Sequence, residues 1–157
     1  MSGNGFGAAV GQRFIETGDL TQSTIDLSLM PALNEKLDAV AQEIMSNPEL
    51  DVYRMGVERS YSYDGPWGYD HDLRGFLRTI SDRTQNSELV EKIDATIAVL
   101  DEAIVSNYTH EDLSHASGLS IYAPPADDWG LEPQYFDGSW SEDTLWDDML
   151  QKIFQSR

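Results

Sequence analysis

The three histidines are the residues whose type and spacing most suggest catalytic or metal-binding chemistry. His110 and His115 enclose Glu111-Asp112-Leu113-Ser114, a pattern close to the H-E-x-x-H motif in which two histidines bind zinc. Their spacing is five residues instead of four, so a helix would turn the second imidazole by about 140° from the first. Two imidazoles in that arrangement cannot bind one metal ion without a break in the helix, and the sequence favours a polar loop after the long helix over a metal site.

His71 lies between Asp70 and Asp72, and two nearby carboxylates would raise the basicity of its imidazole. A catalytic dyad also needs a nucleophile, which the surrounding sequence does not supply. Gly118-Leu119-Ser120 lacks the second glycine of the G-x-S-x-G turn that exposes a catalytic serine. We therefore interpret His71 as a residue at a helix start with a capping aspartate, and an independent hydrolase that uses His71 is the alternative.

The chain has no cysteine, which excludes a thiolate nucleophile, a disulfide and cysteine-ligated zinc. Pairs of carboxylates are the side chains that calcium prefers, but none here follows the alternating D-x-D-x-D-G loop. A negatively charged, solvated surface explains these pairs instead. The sequence predicts no catalytic residue, no metal site and no cofactor in this chain. The acidic pairs considered are Asp127-Asp128, Glu142-Asp143 and Asp147-Asp148.

Charge and composition limit the partners and the architecture. The 157 residues include 28 Asp and Glu against 10 Lys and Arg, for a formal net charge of −18. Such a field repels phosphate backbones and anionic membrane surfaces, so neither a nucleic acid nor a membrane is an expected partner. A hydrophobic fraction of 40% suits one globular domain. We expect residues 1–5 to be a flexible N-terminus or a cloning boundary and residues 6–157 to form a single helical domain.

Apolar residues at helical spacing predict that most of the chain is helical. Pro31 suits the first turn of the helix that follows Ser28, and Asn47-Pro48-Glu49 has the residues of another helix start. Apolar and aromatic residues at alternate positions after Glu49 would also suit a strand. The helix-start residues Asn47-Pro48-Glu49 favour a helix instead. The predicted helices carry the apolar residues Phe6 to Phe14, Leu33 to Ile44, Leu50 to Tyr61, Leu73 to Ile80, Leu89 to Ile104 and Leu145 to Phe154.

Caps and prolines complete the expected architecture. Asp70 or Asp72 would cap the helix that begins near Leu73, and Ser139 or Ser141 would cap the last helix. The apolar segment from Gly118 to Pro125 is short and ends in two prolines, so we predict a strand here and not a helix. We predict a mainly α fold, a helical bundle of about five or six helices with one or two short β-strands.

Aromatic residues concentrate in two predicted loops outside the helical stripes. Such residues form either a satellite of the core or a docking surface for another protein segment, and a sugar-binding platform is a third possibility. The candidate docking or partner surface consists of Trp67, Tyr69, Trp129, Tyr135 and Trp140.

Four stretches of the chain resemble the C-terminal part of clostripain-like cysteine peptidases. Ser23 to Ser28 (STIDLS) resembles the family's S-A-I-D-L-S segment. Ala116 to Pro124 (ASGLSIYAP) resembles its G-L-S-I-Y-F-P strand and is the most specific match, although Ala123 stands where an aromatic residue is usual. Tyr69 to Leu77 resembles the D-L-x-D-F helix start. Trp146 to Leu150 resembles the closing W-x-x-F-L, with Met149 in place of Phe.

The resemblance implies a particular role. In that family the catalytic His and Cys belong to an α/β core upstream of the matched region, so this chain would be the non-catalytic C-terminal domain of a larger peptidase. Its partner would be that core, which it would stabilise or whose substrate cleft it would shape. The resemblance also allows a calcium requirement for the parent protein and a secreted or extracytoplasmic location. A free-standing acidic helical module that binds other proteins is the alternative.

Overall fold

The computed structural model of the protein describes residues 22–63, 68–109, 114–127, 131, 135 and 143–156. The predictions for residues 1–5, for the helix from Phe6 to Phe14 and for the caps Ser139 and Ser141 lie outside these residues.

The described residues form a mainly α fold with a few short strands, as the sequence predicts. The five α-helices are α1 (Met30–Ser46), α2 (Leu50–Arg59), α3 (Leu73–Ser81), α4 (Ser87–Ala103) and α5 (Trp146–Gln155). The four strands are β1 (Gln22–Ile25), β2 (Asp70–Asp72), β3 (Ile104–Tyr108) and β4 (Ser120–Tyr122).

The start of α2 differs in detail from the prediction. Asn47 ends α1, since its backbone N–H donates to the carbonyl of Glu43, and α2 begins only after Glu49. The prediction of a helix over a strand in this region is confirmed, but Tyr61 lies beyond the helix end at Arg59. Pro48 explains the break, because a proline disfavours the helical conformation of the residue before it.

The caps of α3 and α4 explain where these helices begin. Of the two predicted candidates, Asp72 caps α3: its carboxylate accepts a hydrogen bond from the N–H of Gly75. Asn86 caps α4 and accepts from the N–H groups of Glu88 and Leu89. The predicted helical stripe runs on to Ile104, but this residue already belongs to β3.

The strands pair into two small antiparallel sheets, β1 with β3 and β2 with β4. Strand β4 lies within the segment predicted as a strand, whereas β1, β2 and β3 were not predicted. Of the polar loop predicted over His110 to His115, residues 114 and 115 lie in a turn, and residues 110–113 lie outside the described part of the chain.

The helices and β4 share one hydrophobic core. Helix α1 packs on α4 and α5, and α3 packs on α2 and α4. The fully buried Trp146 meets Phe76 edge to face at 6.0 Å between ring centroids, and Phe76 meets Tyr53 at 5.8 Å. Asp38 fixes the start of α5 on α1, because its carboxylate accepts the N–H of Leu145 at 2.7 Å.

Candidate functional site

Strand β2 places His71 in the interior, where it is only 3% exposed. Adjacent side chains of a strand point to opposite faces, so β2 directs His71 away from the side on which Asp70 and Asp72 lie. The hydroxyl oxygen of Ser60 lies 2.9 Å from Nδ1 of the imidazole. Sequence reasoning found no nucleophile for His71, and it missed Ser60 because eleven residues and the end of α2 separate the two.

The hydrogen bonds of Ser60 define its role towards His71. The hydroxyl lies 2.6 Å from the carbonyl oxygen of Gly56, which can only accept. Because a serine has a single hydroxyl proton, its oxygen must accept from the Nδ1–H of His71. A histidine that activates a serine accepts that proton instead. The arrangement therefore joins the end of α2 to β2 and does not make Ser60 a nucleophile.

Asp72 is the centre of a buried polar cluster. Besides the N–H of Gly75, its carboxylate accepts the N–H and the hydroxyl of Ser117, each at 2.7 Å, and the hydroxyl of Tyr63 at 3.1 Å. Burial, followed by the nearby Asp72 carboxylate, raises the pKa of Tyr63. Every oxygen of the buried carboxylate is satisfied, which is what a structural role requires.

The structure brings two of the five candidate aromatic residues together around a third tyrosine. The ring of Tyr135 stacks on Tyr122 at 4.3 Å between centroids, and Tyr69 meets the same ring edge to face at 5.9 Å. Burial raises the pKa of Tyr135, with smaller effects from Asp147 and Tyr122. The two candidates, Tyr69 and Tyr135, are only partly exposed. They therefore belong to the edge of the hydrophobic core at least as much as to the protein surface. The other three candidates, Trp67, Trp129 and Trp140, lie outside the described residues.

An apolar cavity of about 240 Å³ lies beside this tyrosine cluster. Residues of α1 form one wall, and residues in and next to β4 form another. Its lining is Met30, Leu33, Asn34, Leu37, Leu73, Leu119, Ser120, Ile121, Tyr122 and Tyr135.

The exposed large apolar side chains of the described chain lie on the β1–β3 sheet or just after β1. Leu27, two residues after the end of β1, is 75% exposed, and Val105 on β3 is 66% exposed. Both lie within two residues of the Ile25–Ile104 pair, where a bulge interrupts the register. Tyr108, at the far end of β3, is 47% exposed. We call Leu27 and Val105 the exposed apolar pair.

Four stretches of the chain meet around the segment before and within β4: Ser23 to Ser28, Tyr69 to Leu77, Ala116 to Pro124 and Trp146 to Leu150. Gly118 has φ +115°, and a Cβ atom there would lie 2.9 Å from the hydroxyl of Ser23. The hydroxyl of Ser23 donates to the side chain of Asn107, which in turn donates to the carbonyl of Ala116. The STIDLS and ASGLSIYAP stretches are therefore in direct contact.

The other two stretches attach to the same segment. The N–H of Leu73 donates to the carbonyl of Leu119 at 2.9 Å, beside the Asp72–Ser117 bonds. The indole N–H of Trp146 donates to the carbonyl of Tyr122 at 2.8 Å. Residues far apart in sequence thus form one connected structural unit.

The described part of the chain contains neither a cluster of metal-binding side chains nor a helix suited to cross a membrane. It holds no group of three or more His, Asp or Glu side chains placed to bind a metal ion. Its helices also do not combine the length and apolar character needed to cross a membrane.

Comparisons with known proteins give no family for this chain. No family model matches it, and neither a curated protein nor a solved structure does.

Proposed function

We propose that this chain is the non-catalytic C-terminal domain of a clostripain-like cysteine peptidase. Its partner is the peptidase core upstream in the same protein, which it stabilises or whose substrate cleft it shapes. The chain has no cysteine, so a Cys-based catalytic dyad is absent from it. The His and Cys that hydrolyse peptide bonds, and any calcium that the parent requires, belong to the upstream core. A secreted or extracytoplasmic location is part of the same proposal.

The exposed apolar pair is the observation that carries this proposal. Leu27 belongs to the STIDLS stretch, and Val105 follows the residue that pairs with Ile25 of that stretch. Fully burying a Leu or Val side chain contributes about 1.5–3 kcal/mol relative to leaving it exposed. Two such side chains at one end of a small sheet therefore suit a contact that the upstream core would bury.

The contacts among the four resembling stretches support the same assignment. Residues from β1, β2, α3, β4 and the start of α5 make the contacts described above, so the similarity covers a structural unit and not scattered helices. If these residues hold the domain together throughout the family, the four stretches would be expected to occur in the same chain.

The strong negative charge suggests how this domain would affect the cleft. A net charge of −18 creates a field that attracts positively charged peptides and increases their rate of encounter. The same charge also promotes solubility, so it supports the proposal less than the exposed apolar pair does.

A free-standing protein-interaction module is the second candidate function. It is favoured by the closed core of the described helices, in which Trp146, Phe76 and Leu100 are fully buried without a partner chain. A module of this kind would fold alone and would have no affinity for a peptidase core.

Association in trans between this chain and the proposed upstream core tests the function. We expect binding of the unmodified chain, and at least a tenfold higher Kd for the double variant Leu27→Asp/Val105→Asp, since it places charges in the contact. The matched control is Ala95→Asp/Ala98→Asp, which adds the same charge at exposed positions of α4. An unchanged Kd for the first variant would overturn the proposed surface, and no binding of the unmodified chain would favour the free-standing module.

A further inference from the structure

Strand β4 directs the backbone groups of one residue, Ser120, away from its partner strand. Ser120 lies opposite Asp72 in the antiparallel β2–β4 pair. The N–H of Leu73 donates to the carbonyl of Leu119, one residue beyond each of them, so Asp72 and Ser120 form a non-hydrogen-bonded pair. In such a pair the backbone N–H and carbonyl point away from the partner strand. Both groups of Ser120 therefore face the outer edge of β4.

The outer edge of β4 is open at Ser120. This residue is exposed, and no described residue bonds to its N–H or to its carbonyl oxygen. Two residues further along, the carbonyl of Tyr122 points the same way but is taken, since it accepts the indole N–H of Trp146. One donor and one acceptor on the same strand residue are what an extended peptide needs to pair with that residue through two hydrogen bonds.

The apolar cavity of about 240 Å³ adjoins this open edge. Ser120 and Ile121 line it from β4, and Leu33 and Leu37 line it from α1. It is smaller than the roughly 300–1,000 Å³ of pockets that hold drug-sized ligands, so its size suits one large apolar side chain. Water finds few polar partners between such walls, and an apolar side chain that displaces it gains affinity.

A second depression adjoins Ser120 as well and is more polar. Ser23 and Ile25 of β1 line it together with Tyr63, Gly118 and Ser120. Its hydroxyl groups suit a polar side chain. Because Ser120 lines both depressions, a peptide residue that pairs with Ser120 lies next to both of them. We call the open edge and the two depressions the β4 groove.

The charge around the β4 groove favours a basic peptide. The carboxylate of Asp72 accepts the hydroxyl of Tyr63, beside the polar depression. Tyr135 lines the apolar cavity, and its pKa is raised mainly by burial and further by the carboxylate of Asp147. The chain as a whole has a formal net charge of −18. A field of this sign attracts Lys and Arg and repels acidic peptides.

We propose that the β4 groove binds an extended basic peptide. One peptide residue pairs with the N–H and the carbonyl of Ser120, and a large apolar side chain of the peptide fills the cavity. Lys or Arg residues flank this apolar side chain. The inference goes beyond the proposed peptidase partner and does not depend on it, because the isolated chain binds the peptide and the exposed apolar pair takes no part.

Fluorescence polarisation with the isolated full chain and labelled heptapeptides tests the proposal. The probes carry Lys at both ends, Ser and Thr between them, and one Leu or Phe at a varied position. The reference peptide has no apolar residue. We expect the best probe to bind with a Kd at least about tenfold below that of the reference peptide, and Glu at both ends to raise its Kd at least about tenfold.

Three outcomes with these peptides would overturn the proposal. They are no binding of any probe, equal Kd values with and without the apolar residue, and equal Kd values with Lys and with Glu at the ends. Because the upstream core is absent from this experiment, its result does not depend on whether the proposed function is right.

Ser120→Pro tests the pairing with the peptide backbone. It removes the outward N–H and no hydrogen bond between β2 and β4, and an edge strand tolerates proline where its N–H faces solvent. We expect the Kd of the best probe to rise at least about tenfold. The matched control, Ser120→Ala, loses the hydroxyl but keeps both backbone groups and should change the Kd by less than about twofold. Equal Kd values for the two variants would overturn the pairing.

Asn34→Trp tests the cavity and does not depend on whether Ser120→Pro folds. Asn34 lines the cavity, so the larger side chain should fill it and raise the Kd at least about tenfold. The matched control is Gln42→Trp, at an exposed position of α1 about 12 Å further along the helix. Equal Kd values for these two variants would overturn the proposal. A dimer of the unmodified chain in sedimentation that Ser120→Pro abolishes would also overturn it, because a second copy would then occupy the groove.

Discussion

Asp72 and Ser117 are joined by two hydrogen bonds, from the backbone N–H and from the hydroxyl of Ser117 to the same carboxylate oxygen, each 2.7 Å long. The other oxygen of Asp72 caps helix α3 through the N–H of Gly75. One buried side chain therefore fixes both the start of a helix and the segment that leads into β4.

Replacing Asp72 with alanine should lower the free energy of unfolding by about 2–4 kcal/mol. The variant loses a helix cap, worth about 1 kcal/mol, and leaves buried donors without an acceptor. Urea unfolding followed by circular dichroism measures the change. The control Asp94→Ala removes an exposed carboxylate from α4 and should change stability by less than about 0.5 kcal/mol. Equal effects of the two substitutions would contradict the role given to Asp72.

Gly118→Ala should destabilise the contact between the STIDLS stretch and the segment before β4. A φ of +115° is unfavourable for any residue with a side chain, and the new Cβ would lie 2.9 Å from Ser23 Oγ. We expect a loss of about 1–3 kcal/mol in the free energy of unfolding. Ser114→Ala, at an exposed turn position, is the control. A Gly118→Ala variant as stable as the unmodified chain would show that this close approach is not important.

At alkaline pH, one buried and two half-buried tyrosines should link stability to ionisation. Burial is the largest cause that raises the pKa of Tyr53, Tyr63 and Tyr135 above the ordinary value. Because the pKa is higher in the folded state, these tyrosines contribute fully to the free energy of unfolding below about pH 10, the ordinary tyrosine pKa. This contribution is lost as the pH rises further.

The absorbance of tyrosinate, followed together with the helical circular dichroism signal, tests this linkage. Of the seven tyrosines in the chain, we expect at least these three to ionise only as the helical signal is lost. Ionisation of all seven near pH 10 in a chain that is still helical would contradict the burial of these rings.

Glu43 should make a contribution to stability that acid removes. Its carboxylate accepts hydrogen bonds from Lys92 at 2.5 Å and from Asn86 at 2.8 Å, and these bonds lower its pKa. A lowered pKa means that the contribution is present above about pH 4.3, the ordinary glutamate pKa, and is lost as the pH falls through the folded-state value.

The substitution Glu43→Gln tests this expectation. It should destabilise the chain at pH 7, and the difference from the unmodified protein should shrink as the pH falls below about 4. Glu91→Gln, at an exposed position of α4, is the matched control. A difference for Glu43→Gln that is independent of pH would contradict the prediction.

Periodicity predicted the five described α-helices well because each has an apolar stripe that packs on the common core. The buried residues of α1 are the predicted Leu33, Leu37, Val40, Ala41 and Ile44. Strand β4 was predicted, but β1 and β2 were not, because their patterns are too short or too polar: β1 reads Gln-Ser-Thr-Ile, and β2 reads Asp-His-Asp. The predicted end of α4 was one residue too far along the chain. Ile104 continues the helical spacing of apolar residues, although it lies in β3 and pairs with Ile25.

The candidate site was predictable only in part. The sequence suggested Asp70 or Asp72 as a cap, and tertiary bonds to Ser117 and Tyr63 explain why Asp72 is so deeply buried. Pairing of Ser60 with His71 had no local signal, because it depends on how α2 and β2 pack. The exposure of Leu27 and Val105 is also a property of the fold, since an apolar residue in a sequence is ordinarily expected inside.

Reading the gene for several hundred residues upstream of Met1 tests the central claim most directly. The account predicts an open reading frame that continues into a peptidase core with a His and a Cys at strand ends, and with a secretion signal before it. A start codon at Met1 with no peptidase core upstream would contradict the account. The chain would then be a free-standing helical module.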